Sequence, residues 1–143
     1  MAARKDGERP EEAPAGRGDH SSPDHPPWSN IAYHLSPCSS WRRAQDAGRV
    51  VPEGFEAEGF VHLTLGLDRL LVPANRYHAG DPRPYVALTV DLGAVGCEVR
   101  FDADPPVYPH AYGPLPLDAI REVRSALRGP DGAFVGWGPP ERL

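Results

Sequence analysis

Residues 84–92 read PYVALTVDL, and residues 95–101 follow with VGCEVRF. Both runs are rich in β-branched and aromatic residues, and Pro and Gly signals bound them, so each is expected to be a strand. Working outward, NIAYHLS (30–36) reads as a first strand, FVHLTL (60–65) as a second, and GAFVGW (132–137) as a final one. SSWRRAQDAG (39–48) has helical spacing at Trp41, Ala44 and Gln45, with Ser39 or Ser40 to cap it and Gly48 to end it. LDRLLVPANRYHAG (67–80) has helical spacing at Leu67, Leu70, Leu71, Ala74 and Tyr77. Pro73 conflicts with that pattern and implies a kink, or a helix that starts only near Leu70. VVPEGFEAEG (50–59) reads as a loop. DADPPVYPHAYGPLP (102–116) reads as a long proline-rich loop held in one shape. LDAIREVRSALRG (117–129) fits a helix by spacing, yet its AIREV also serves as a strand. There is no internal repeat. Strands with two or three short helices predict an α+β domain.

Residues 1–29 are dominated by charged residues, Pro, Gly, Ala and Ser, with Trp28 as their one large aromatic. Such a segment buries too little surface to offset its ordering entropy, so a disordered tail is expected there and a single domain over 30–143. His20 and His25 are then solvated tail residues. No apolar run approaches the roughly 18 residues a membrane span needs, and the N-terminus lacks an apolar signal core. Cys38 and Cys97 fit no metal spacing and make no disulfide framework. A cytoplasmic protein is expected. The net charge of −5 gives no basic excess on which nonspecific nucleic-acid affinity rests.

Three histidines stand among apolar or aromatic neighbours: His34 in AYHLS, His62 in GFVHLTL and His110 in VYPHAYG. Alternate side chains of a strand share a face. His34 therefore points with Ser36, away from Tyr33 and Leu35; Phe60, His62 and Thr64 point together, away from Val61 and Leu63. Both strands carry a histidine with a hydroxyl two residues later. His110 falls in the proline-rich loop. Three readings are open. Each histidine can be structural and bonded to backbone. The three can bind zinc, although neither helical His-x-x-x-His nor Cys-pair spacing is present. Or they can line a polar cleft, bonding a ligand's ribose, phosphate or carbonyl groups and moving protons near neutral pH.

Weaker candidates surround them. Glu53, Glu56 and Glu58 form an acidic loop, with Glu58 best placed to reach a site. Asn75 and Arg76 are suited to hold a phosphate. His78 near a helix end is expected to meet terminal carbonyls. Gly-x-Gly-x-x-Gly, Walker and Gly-x-Ser-x-Gly motifs are missing.

The segments YHLS, EGFVHLT, ANRYHAG, YVALTVDL and YPHAYGPLPLDAI follow one another in an order that resembles the bacterial family called domain of unknown function 952. The resemblance runs from about Ile31 to Phe134. It implies a fold grouped with ADP-ribosyltransferases and RNA 2′-phosphotransferases, a small split β-sheet around a cleft that holds NAD. In that fold a histidine or arginine on the first core strand bonds a ribose, which matches His34. A second strand shapes the nicotinamide pocket, which resembles His62 and Thr64. A glutamate usually orients the nicotinamide ribose, whereas PHAYG offers His110.

The leading expectation is an enzyme that cleaves or transfers at the nicotinamide ribose of NAD, with a small-molecule nucleotide as partner. His110, His62 and Glu58 are its candidate catalytic residues. His34, Ser36, Thr64, Tyr112 and Arg76 are the candidate NAD-binding residues, and no metal is expected. With no glutamate in PHAYG, either the chemistry differs, or Glu58 or Asp102 supplies the negative charge, or the protein binds without turnover. A nucleotide-binding module without catalysis is the alternative. So is a 2′-phosphotransferase, which needs Arg76 to converge with Arg121 or Arg124.

Overall fold

A computed structural model describes residues 30–143. The expected tail, with Trp28, His20 and His25, lies outside the described residues. Ten strands and three α-helices follow in order: β1 (Ile31–Pro37), α1 (Cys38–Ala47), β2 (Arg49–Val50), α2 (Phe55–Glu58), β3 (Val61–His62), α3 (Leu71–His78), β4 (Tyr85–Asp91), β5 (Val99–Arg100), β6 (His110–Ala111), β7 (Leu115–Pro116), β8 (Ile120–Arg128), β9 (Phe134–Trp137) and β10 (Glu141–Arg142). The α+β class is as the sequence predicts.

The main sheet is antiparallel with strand order β9-β8-β4-β1, and β10 also pairs with β8. Its centre is β4, where every residue from Tyr85 to Val90 is buried. Both edges of β4 are paired and both faces are covered, which is what a nearly continuous apolar run requires. Leu88 stands opposite His34 on one side and Val123 on the other. Val86, Leu88 and Val90 face the larger core with Val61, Leu63, Leu115 and Ile120. Tyr85 faces a smaller cluster with Ala74 of α3 and Phe134 of β9.

A three-stranded sheet, β3-β6-β5, and a two-stranded one, β2-β7, complete the fold. The three-stranded sheet is tied to the main sheet by an isolated pair. Tyr33 N donates to Thr64 O at 2.8 Å, and Thr64 N donates to Tyr33 O at 2.9 Å.

Several local expectations are corrected. No serine caps α1; the helix begins at Cys38, whose N–H donates to Pro84 O at 2.9 Å. A tertiary bond there replaces the side-chain cap. Trp41 and Ala44 are buried as expected, while Gln45 is exposed; Gly48 ends the helix at φ 85°. Pro73 is the third residue of α3, inside the first turn, where no intrahelical donor is needed. The 50–59 loop contains the single turn α2. The strand over VGCEVRF shrinks to Val99–Arg100, because Leu92–Ala94 forms a 3₁₀ turn and Gly96 sits at φ 69°.

Residues 120–128 are a strand. Its partners explain the ambiguity: Thr89 pairs with Glu122 but Val90 with Ile120, so the register slips between them. This bulge puts Ile120 and Val123, three apart, on one buried side, which mimics helical spacing.

Because Leu88 is fully buried between two paired strands, Leu88→Ala should lower the unfolding free energy by about 2–5 kcal/mol in urea denaturation. A change within experimental error would mean that β4 is not the centre of the core.

Candidate functional site

His34 belongs to the buried face of β1, together with Ala32 and Ser36. Its Nδ1 lies 2.9 Å from the carbonyl oxygen of His62. A carbonyl only accepts, so Nδ1 carries the hydrogen and Nε2 holds a lone pair when the ring is neutral. Burial holds the ring neutral: desolvation brings its pKa down to about 4, against the His62 carbonyl bond, which favours the proton. The tie is thus between a core strand and the backbone of the strand that carries the next histidine.

His62 and His110 stand directly opposite each other on β3 and β6, so their rings share a face. The ring centroids are 5.2 Å apart, edge to face. Phe60 stacks on His110 at 4.0 Å and 11°, and meets His62 edge-on at 5.0 Å. Tyr112 lies 5.5 Å from Phe60. The far face of this cluster is bounded by Arg100, opposite His110 on β5, whose guanidinium lies 4.7 Å from the Tyr112 ring centroid. Glu98 holds Arg100 with two hydrogen bonds, at 2.9 and 3.2 Å.

Glu58 closes the near side. His62 Nε2 donates to Glu58 Oε2 at 3.1 Å, leaving Nδ1 as the free acceptor of a neutral ring. Both side chains are open to solvent, at 61% for His62 and 45% for Glu58. Desolvation lowers the His110 pKa, and a proton on His62 would lower it further, while Asp102 and Glu58 oppose the fall. Two carboxylates, Glu58 and Asp102, thus act on His110, while Glu98 is paired with Arg100.

A second polar network begins where α3 ends. Arg83 donates to Glu53 at 2.8 and 3.1 Å and to Asp81 at 2.7 Å. The Tyr85 hydroxyl donates to Asp81 Oδ2 at 2.7 Å, and His78 Nδ1 lies 3.4 Å from the same hydroxyl. Arg83 first, then Tyr85, holds the Asp81 carboxyl well below the usual carboxylate range. Burial, then Asp81, pushes the Tyr85 phenol up to about 12. His78 is lowered chiefly by desolvation. Of the four histidines, His62 and His110 meet ring to ring and His34 bonds the His62 backbone, while His78 belongs to this second network.

The other candidates divide. Thr64 is buried and pairs its backbone with Tyr33; Ser36 is buried and its hydroxyl donates to Pro37 O at 2.9 Å. His110 is not a loop residue: it stands on β6, where Pro109 and Val107 give carbonyls to Leu63 and Leu65. His78 was expected at helix-terminal carbonyls and instead faces Tyr85. Asn75 is a strap, bonding Leu71 O and both backbone groups of Phe134. Arg76 lies exposed on α3, and among the described residues no contact joins it to the cluster. Arg121 is bonded to Asp91, and Arg124 to Gly138 O. Among the described residues no group of three or more His, Cys, Asp or Glu is placed to hold a metal, and no helix is long and apolar enough to cross a membrane. Cys38 and Cys97 are free thiols, and burial pushes Cys97 up, away from the thiolate a nucleophile needs.

The profile of the family described as "protein of unknown function (DUF952)" matches residues 35–123, from the middle of β1 into β8. The chain belongs to this DUF952 family. Glu58, Phe60, His62, Glu98, Arg100, His110 and Tyr112 fall within the matched span, and His34 lies one residue before it. The chain is also similar in fold to the protein CC0527 from Caulobacter crescentus. The crystal structure of CC0527 has a TM-score of 0.63 at 21% identity, covering 73% of this chain and 93% of that one. Its solution NMR structure has a TM-score of 0.59 at 22% identity, covering 73% and 91%. No curated protein matches the chain.

Titration of His34 has a measurable consequence. Unfolded, the ring takes a proton near its ordinary 6.5; folded, only near 4. Between these values the unfolded chain binds more protons, so the stability due to neutral His34 is complete above about pH 6.5. It falls as pH drops toward 4, by about 3 kcal/mol in all. His34→Asn keeps an N–H donor near the place of Nδ1 and removes the titration. Between pH 7 and pH 4.5 this variant should lose about 2–3 kcal/mol less than the wild type in urea denaturation; equal losses would show that His34 is not buried and neutral.

Proposed function

We propose that this protein is a nucleotide-acting enzyme of ADP-ribosyltransferase-like type, which cleaves or transfers at the nicotinamide ribose of NAD. The observation that carries the reading is the Glu58–His62 bond beside a stacking platform. Breaking the bond from the ribose C1′ to the nicotinamide nitrogen sends the electron pair to nicotinamide and leaves positive charge on the sugar. A carboxylate near C1′ stabilises that charge, by analogy with glycoside hydrolysis. The third motif of the resembled fold has His110 where a glutamate is usual, and Glu58 from α2 supplies a negative charge in the same cluster.

The remaining groups have matching tasks. Phe60, His110 and Tyr112 offer ring faces and edges to a nicotinamide or adenine ring. With Nε2–H committed to Glu58, His62 presents Nδ1 as the base that takes the proton of an attacking water or acceptor hydroxyl. His110 remains neutral at physiological pH and can bond a ribose hydroxyl without charge. His34 holds the His62 backbone in place.

A nucleotide-binding module without turnover is a second reading, favoured by the openness of His62 and Glu58 to water, because enclosed sites make electrostatic stabilisation stronger.

Nicotinamide release from NAD, measured by chromatography, tests the proposal. The wild type should release it. Glu58→Gln should cut kcat by about 10²-fold with little change in KM, since the lost charge acts on the transition state. His110→Ala should weaken NAD binding by about 0.5–1.5 kcal/mol in calorimetry. Binding with no release under any acceptor supports the module. Absence of heat with both NAD and ADP-ribose contradicts the nucleotide reading.

A further inference from the structure

Glu58 reaches His62 from an arm that the rest of the chain holds in place. Residues 52–59 form a closed unit. Phe55 N donates to Pro52 O at 3.0 Å, Glu58 N to Gly54 O at 3.0 Å, and Gly59 N to Phe55 O at 2.7 Å. One end of this unit carries Glu53 and the other Glu58. Most of its body is exposed; Phe55 alone packs half-buried against the main core, and that contact does not by itself fix where the two terminal carboxylates sit.

Two features do. The first is Arg83, whose guanidinium grips both carboxylate oxygens of Glu53, at 2.8 and 3.1 Å. Such two-pronged pairing fixes direction as well as distance. Arg83 is itself anchored. Asp81 accepts from its guanidinium at 2.7 Å, and Arg128 donates to the carbonyls of Asp81 and Arg83 at 2.7 and 3.0 Å. The arm is thus tied to the turn between α3 and β4. The second feature is Gly54. A Cβ at this position would lie 3.0 Å from Glu58 Oε1, the carboxylate oxygen that does not bond His62. Gly54 has φ −90° and ψ 5°, the third position of a type I turn, which is open to most residues. Its missing side chain therefore serves no turn geometry and leaves the room in which the Glu58 carboxylate sits.

We infer that Arg83 and Gly54 are positioning residues for Glu58, one clamping the arm at Glu53 and the other leaving space for the carboxylate. Their catalytic consequence rests on the proposed reaction at the nicotinamide ribose; their structural consequence does not.

Gly54→Ala is the direct test, because its backbone accepts alanine and only the flexible end of Glu58 must give way. Arg83→Met is the second variant, removing the clamp at a partly exposed position. The His62 ring proton and carbon resonances are recorded by NMR for both variants, with Glu58→Ala as the reference for a lost bond. In both variants the His62 signals should move from the wild-type position toward that of Glu58→Ala, with melting temperatures close to wild type in Gly54→Ala. In turnover, kcat should fall on the order of tenfold to a hundredfold with KM little changed, as for a misplaced reacting group. His62 signals that stay at the wild-type position in Gly54→Ala overturn the positioning role, whatever the turnover. His62 signals that shift in a protein with no NAD turnover uphold the positioning role and remove the reaction instead.

Discussion

The hydrogen bond from His34 to the carbonyl of His62 is the constraint on which the site depends. The main sheet is built around β4 and would be complete without the smaller three-stranded sheet. That smaller sheet has only short pairings of its own, two residues in each of β3, β5 and β6. Besides the burial of Val61 and Ala111 in the main core, its polar ties to β1 are the Tyr33–Thr64 backbone pair and, one residue along, the ring of His34. A buried imidazole suits this purpose. It donates at a fixed angle, and burial keeps it uncharged. The cost is an acid limit on stability, because below neutral pH the unfolded chain gains a proton that the folded one refuses.

With the tie in place, the chemistry falls into a row. Glu58, His62, His110, Arg100 and Glu98 follow one another across β3, β6 and β5, with Phe60 and Tyr112 beside them. Opposite positions on adjacent strands place these side chains on one face, so the row is a product of register rather than of sequence proximity. A slip of one residue between β3 and β6 would turn either His62 or His110 into the core. In the proposed reaction the carboxylate at one end of this row, Glu58, is the group that meets positive charge building on the sugar.

Much of this was legible in the residues, and the failures have physical causes. The alternation in AYHLS put His34 and Ser36 on one face, and that face is the buried one. The apolar continuity of PYVALTVDL marked the central strand. His110 seemed to sit in a loop because Pro109 has no N–H to give a ladder; its neighbours take part through their carbonyls, which no propensity reveals. Helical spacing in 120–128 came from a bulge, a property of the pairing partner. The network of Asp81, Arg83, Tyr85 and Glu53 was missed because it joins a loop to a strand end some thirty residues away. A carboxylate, a guanidinium and a tyrosine within five residues of each other, 81 to 85, were the only available signal.

The claim that the imidazole cluster is the nucleotide site is tested most directly by the footprint of NAD on the protein. Ring and backbone NMR resonances followed through a titration should show the largest changes at Phe60, His62, His110 and Tyr112, and at the Glu58 backbone. Changes at His34 should be small, since its ring remains bonded to the His62 carbonyl. A footprint on α3 and Arg76, or on the outer strands β9 and β10, with the cluster unmoved, would place the ligand elsewhere and contradict the site.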